Sequence, residues 1–267
     1  MIKNSIKHLD FFITHIPISL NYYHDSDVNS VQFFSLGLLK RLLHSSESLK
    51  LILQSIELNP HLDFSAGLTI RALILDMLIG LNFLKLLKDN LPKNLPRDEM
   101  LELTTLFCNK ALADGLENTI KYLELAQTFG FLENSSVKTT YNTLAENFSK
   151  FLKPHSGNGT KPELKFGKAY TANELFKNIA RDSEMHHISG IYDLYLFYSK
   201  YEHFGILYFD VESSPLLEKI NRIEKAIRLL INHCANLFDI LERSSQKDKF
   251  IFTQYKIAND YLLAKKD

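Results

Sequence analysis

The chain has no tryptophan, only two cysteines and no surplus of charge of either sign, and the last two shortages each remove a class of protein. Cys108 and Cys234 stand alone in helical sequence. They supply neither a disulfide framework nor a zinc-ligand pair, and they read as reduced, small apolar residues of a cytoplasmic protein. With 31 basic against 31 acidic residues, overall charge gives nucleic acid no hold, leaving a local patch as the only electrostatic route. There is no glycine-rich phosphate loop and no nucleophile elbow. Sustained apolar–polar alternation is missing too, and Ile206-Leu-Tyr-Phe209 is the one short candidate for a strand. Asn134, Asn147 and Asn158 head glycosylation triplets, which carry no meaning without a secretory signal. The amino-terminal stretch forms no such core, because His15 and Pro17 interrupt it. The longest apolar run, Leu68 to Leu87, carries Arg71, Asp76, Asn82 and Lys85. Those are costly in lipid, so it reads as a buried helix rather than a membrane span.

What is present is helical patterning over 267 residues, enough to bury a core without disulfides or metal. The periodicity predicts an all-α multi-helix bundle of about eight to ten helices with no substantial sheet. It starts with a short first helix, followed by segments at Val31–Leu43 and Ser46–Ile56 and one from Asp63 or Ser65 to about Lys88. Arg97 to Thr128 reads as a long helix or a pair divided near Gly115. Thr171-Ala-Asn-Glu174 has the spacing of a capping box, and Ser213-Ser214-Pro215 supplies a cap and a proline for a helix reaching about Arg243. The whole of 1–267 reads as one helical domain. Any subdivision falls at the turn-rich stretch 154–168, separating 1–153 from 169–267.

Chemistry concentrates near Ile191 to Gly205, where five of the twelve tyrosines, counting Tyr208, gather beside one serine and one histidine. On a helix, Tyr192, Tyr195, Ser199 and His203 form one stripe at spacings of three, four and four. The other faces are apolar, so this is a core helix with a polar seam. Arg71 and Asp76 lie about 140° apart around their own helix. They cannot pair with each other, and burial demands that each find a partner elsewhere. Arg71, Asp76, Tyr195, Ser199 and His203 are therefore expected to meet between two packed helices. Such a cluster either fixes helix register or, as the minority reading, performs catalysis.

The order Ile70-Arg-Ala-Leu-Ile-Leu-Asp76 followed by Tyr192-x-x-Tyr195-x-x-x-Ser199-x-x-x-His203 resembles a bacterial helical family catalogued only as a domain of unknown function. The resemblance covers roughly residues 30–240 and implies an arginine and an acid on one helix facing tyrosine, serine and histidine on another. Here the acid is aspartate, five residues after the arginine rather than four, and Phe204 rather than proline follows His203.

More distantly, Arg181-Asp182-Ser-Glu-Met-His186 resembles the motif of HEPN ribonucleases, helical proteins that work without metal. That resemblance implies that Arg181 stabilises phosphorane-like charge while His186 exchanges protons with the 2′-oxygen or leaving group. Arg228 and His233 repeat the arginine–histidine spacing without the acidic residue. Glu184, His187 and His203 could be gathered around a metal, but no second Glu-x-x-His supports a di-iron bundle, and neither metal nor cofactor is expected. Apolar stripes through Leu216, Ile220, Ile223, Ile227, Leu230 and Ile231 read as core, with one face open to pairing with a second copy of the chain. The leading functional reading is a binding or structural module with a buried polar cluster. The alternative is a metal-independent ribonuclease, and RNA is a partner only in that case.

Overall fold

A computed structural model describes residues 2–24, 26–93, 95–153, 159–182, 185, 190–201, 212–244, 256–261 and 264. It is all-α, and among the described residues the only β-type pairing is an isolated antiparallel bridge between Leu152 and Leu164. The helices whose full extent falls among the described residues are α1 (Ile2–Tyr22), α2 (Ser30–Ser55), α3 (Leu62–Asn90), α4 (Arg97–Leu112), α5 (Asp114–Thr128), α6 (Asn134–Asn147), α7 (Ala172–Ala180), α8 (Gly190–Ser199) and α9 (Leu216–Ser244), and residues 256–261 are also helical. No helix among the described residues is long and apolar enough to cross a membrane.

The chain divides into two compact units. One is built from both ends, Met1–Pro92 with Ala172–Asp267, and the other from the middle, Lys93–Thr171. The stretch 154–168 lies within the second unit rather than at a boundary.

In the first unit, α3 is the axis against which α2, α7, α8 and α9 pack. Its apolar side chains surround it: Ile70, Leu73, Ile74, Met77, Leu78, Leu81 and Phe83 are all buried. At about 1.5–3 kcal/mol per fully buried large side chain, this helix anchors the unit. Asn82 is tolerated because it is fully engaged. Its amide donates to the carbonyls of Leu78 (2.8 Å) and Leu175 (2.9 Å) and its oxygen accepts from Asn178 (2.7 Å), which ties α7 to α3. The α9 stripe from Ile220 to Leu241 is buried against α1, α2 and α3, so that face is used within the chain and does not await a second copy.

The first helix is longer than its proline suggests. It runs through Pro17 because Leu9, Phe12 and Ile16 are completely buried at spacings of three and four, and that packing outweighs one lost backbone bond. The two segments expected around Ser46 form one helix, capped by a reciprocal Asn29–Gln32 box. Ser46 sits inside it, its hydroxyl donating back to the Leu42 carbonyl at 2.6 Å. In the second unit, Leu123 on α5 packs with Val137 and Tyr141 on α6. The break between α4 and α5 falls at Ala113, two residues before the expected glycine. Cys108 and Cys234 are free and buried, and burial pushes the Cys108 thiol up to about 12.

Candidate functional site

The first turn of α3 carries Asp63, and one turn later comes Gly67. The glycine matters because α8 crosses here. A Cβ at position 67 would lie 3.1 Å from ring carbons of both Tyr198 and Tyr201. Without it, Tyr201 lies close across α3, and its hydroxyl donates to Asp63 Oδ2 at 3.0 Å. Lys219, in the first turn of α9, reaches the same oxygen with Nζ at 2.9 Å and also donates to the Glu212 carbonyl at 2.9 Å. Asp63, Lys219 and Tyr201 are 6%, 8% and 5% exposed.

A buried ion pair holds only when further hydrogen bonds satisfy the charges that have left water. The Tyr201 hydroxyl and the Glu212 carbonyl supply them here. Burial, with the charge of Asp63, pushes the Tyr201 phenol well above its usual range, so it remains a proton donor to the carboxylate. Beside it, the edge of Phe64 meets the Tyr201 ring at 5.8 Å, and the Arg222 guanidinium lies 4.1 Å over Phe197. The buried trio opens onto a cavity of about 200 Å³ that His61, Phe64 and Glu212 also line.

The residues singled out by the seam of α8 are placed differently. Arg71 Nη2 donates to the Tyr195 hydroxyl at 3.2 Å, and its guanidinium lies 5.1 Å from the centre of that ring. Tyr192 is stacked on Phe176 at 3.9 Å and lies 5.9 Å from Tyr195. The Ser199 hydroxyl donates to the Leu196 carbonyl of its own helix at 2.7 Å. Asp76 does not join this group but accepts from Arg41 Nε of α2 at 2.7 Å. Burial pushes Asp76 up to about 6, opposed by the charge and hydrogen bond of Arg41. Of the five residues expected to converge, Arg71 and Tyr195 meet, Asp76 and Ser199 are engaged elsewhere, and His203 lies outside the described residues.

Of the ribonuclease-like motif, Arg181 is exposed at the end of α7 and His186 lies outside the described residues. Asp182 between them is buried. It accepts from Lys85 Nζ (3.2 Å), Lys88 Nζ (3.0 Å) and the Met185 amide (3.1 Å), so it secures the end of α7 to α3. In the repeated spacing, Arg228 pairs with Glu224 at 2.7 Å. His233 is sealed against Gly80, where a Cβ would lie 2.9 Å from Cε1, and burial depresses its imidazole to about 3. Neither His233 ring nitrogen has a partner among the described residues. Glu184 and His187 lie outside the described residues, as does His203. Among the described residues no three histidine, cysteine or carboxylate side chains gather to hold a metal.

Asp63, Lys219 and Tyr201 escaped sequence reasoning, although two signals pointed to them. Lys219 falls one turn before Ile223 and two before Ile227, so it is a charge on the apolar stripe of α9. Gly67 interrupts the apolar surface of α3 one turn after an acid, which marks a close approach by a neighbour. No family model matches the chain, and comparison with curated proteins and with solved structures finds no match.

Proposed function

We propose that the protein is a binding module and that the cavity above Asp63, Lys219 and Tyr201 is its ligand site. One observation carries this reading. Two oppositely charged residues, both more than nine-tenths buried, pair with each other and line the same cavity, and each keeps hydrogen-bonding capacity that the fold does not use. Both Asp63 contacts fall on Oδ2, and the one hydrogen bond that Lys219 donates among the described residues goes to the Glu212 carbonyl. A pair serving register alone gains nothing from facing a cavity, whereas concave sites with a few convergent polar groups are where small molecules bind. A cytoplasmic setting is supported by the two unpaired, buried thiols.

Protein-observed NMR chemical-shift mapping during titration with a mixture of small polar fragments tests the site. Binding that perturbs Tyr201 and His61 resonances, and that is lost in Asp63→Asn, is the expected result. No binding by a folded wild-type chain sinks it. The ribonuclease reading keeps one supporting observation, the exposure of Arg181 beside the pinned Asp182. RNA cleavage that disappears in Arg181→Ala and His186→Ala would support it, and cleavage that survives both would remove it.

A further inference from the structure

Building on the binding reading above, we propose that the cavity takes a free α-amino acid with an apolar side chain, its ammonium on Asp63 Oδ1 and its carboxylate on Lys219. The unused valences define the ligand. Asp63 Oδ1 is an acceptor with no partner among the described residues, because Lys219 and Tyr201 both use Oδ2. The Tyr201 proton is already given to Asp63, so its oxygen can only accept, and Glu212, an acidic residue, also lines the cavity. This side of the cavity calls for a cationic donor. Lys219 supplies the opposite need, an ammonium that donates to the Glu212 carbonyl and keeps N–H capacity beyond that bond and its ion pair with Asp63. The first turn of α9 lies beside it, where the helix dipole favours an anion.

Simpler ligands fit less well. A phosphate would meet the Asp63 carboxylate, which already holds Lys219 as its ion-pair partner. An amine alone leaves the Lys219 donor desolvated, and a carboxylate alone does the same to Asp63 Oδ1, each a polar group buried without compensation. A zwitterion answers both and adds no net charge. Its two charges must also sit on neighbouring atoms. Lys219 Nζ and Asp63 Oδ2 are 2.9 Å apart, so the two subsites are adjacent and an amine far from its carboxylate overspans them. Phe64, Tyr201 and Leu216 give the side chain apolar walls. The cavity of about 200 Å³ holds roughly seven waters at about 30 Å³ each, a space that suits a leucine-sized molecule.

Isothermal titration of the full chain with four probes tests the assignment: leucine, its isomer 6-aminohexanoate, 3-methylbutylamine and 4-methylpentanoate. Leucine is expected to bind at least tenfold more tightly than each of the others. Glu212→Gln, an exposed change that leaves the core intact, is expected to weaken leucine several-fold with little effect on 4-methylpentanoate. In Lys219→Met the preference for leucine over 3-methylbutylamine is expected to vanish. Should that variant not fold, the wild-type probe series still decides. Equal binding of leucine and either 6-aminohexanoate or the amine overturns the amino-acid assignment while leaving a binding site in place. If none of the four probes binds but fragments perturb Tyr201, the ligand class is likewise overturned. If nothing perturbs Tyr201, the binding reading itself falls.

Discussion

Asp63 and Asp76 are both buried carboxylates of α3, yet they are treated differently. The lysine paired with Asp63 has a side chain only 10% exposed and is joined by a buried phenol. The arginine paired with Asp76 is 59% exposed, so water screens much of its charge while the carboxylate remains desolvated. Desolvation then outweighs attraction, and Asp76 is pushed up to about 6. The difference separates two uses of a buried acid. Asp76 has a partner at the surface and holds α2 to α3 by its location. Asp63 sits among buried partners with capacity to spare, at the foot of a cavity.

The largest expected effect breaks the Asp63 side of this contrast. Lys219→Met leaves Asp63 buried and without its cation, and should cost about 3–5 kcal/mol in urea unfolding. Arg41→Met, by the same measurement, should cost distinctly less, since its guanidinium is mostly in water; an equal cost would erase the distinction.

The Asp76 side is sharpened by pH. Its folded pKa is raised from 3.8 to about 6, so the stability it contributes is fully present below about pH 4 and lost as pH rises through 6. At about 1.4 kcal/mol per pH unit the change is on the order of 3 kcal/mol. His233 runs the other way. Its folded value is depressed to about 3, so its contribution is present above about pH 6.5 and lost as pH falls toward 3. The two oppose each other between about pH 4 and 6, and wild-type stability should vary little there. Asp76→Asn should uncover the His233 slope, making the variant gain on the wild type as pH rises from 4 to 6.5. A constant difference would refute the raised Asp76.

Gly67→Ala should cost about 1 kcal/mol, because the new methyl lies 3.1 Å from two aromatic rings that must both shift by a few tenths of an ångström. The smallest effects compare the two phenols on those rings. Tyr201→Phe removes a hydrogen bond to Asp63 and should cost about 1 kcal/mol. Tyr198→Phe removes a buried hydroxyl that has no partner among the described residues, and should be neutral or stabilising.

Most helices were legible because apolar spacing is a local property. The start of α9 after Pro215 and the long burial of α3 both follow from it. Where local signals misled, packing had overruled them: Pro17 stays inside α1 because Phe12 and Ile16 are fully buried around it. The polar pairs were legible only by half. That Arg71 and Asp76 need separate partners follows from their angle around one helix. That those partners are Tyr195 and Arg41 is set by how α8 and α2 pack, which no spacing within α3 encodes. Asp63 was hidden by its own plausibility as a cap. An acid in a first turn has an adequate local explanation, and the lysine that completes it stands far along the chain, in α9.

The first unit is assembled from both ends of the chain, with residues 93–171 made in between, and this affects its birth on the ribosome. When α3 has emerged, α7, α8 and α9, which cover much of it, have not yet been translated. At about 5–20 residues per second, that apolar helix waits on the order of ten seconds for its partners. The middle segment is fully translated before the first unit can finish, so a nascent chain stalled after residue 171 would offer chaperones an unfinished, sticky first unit.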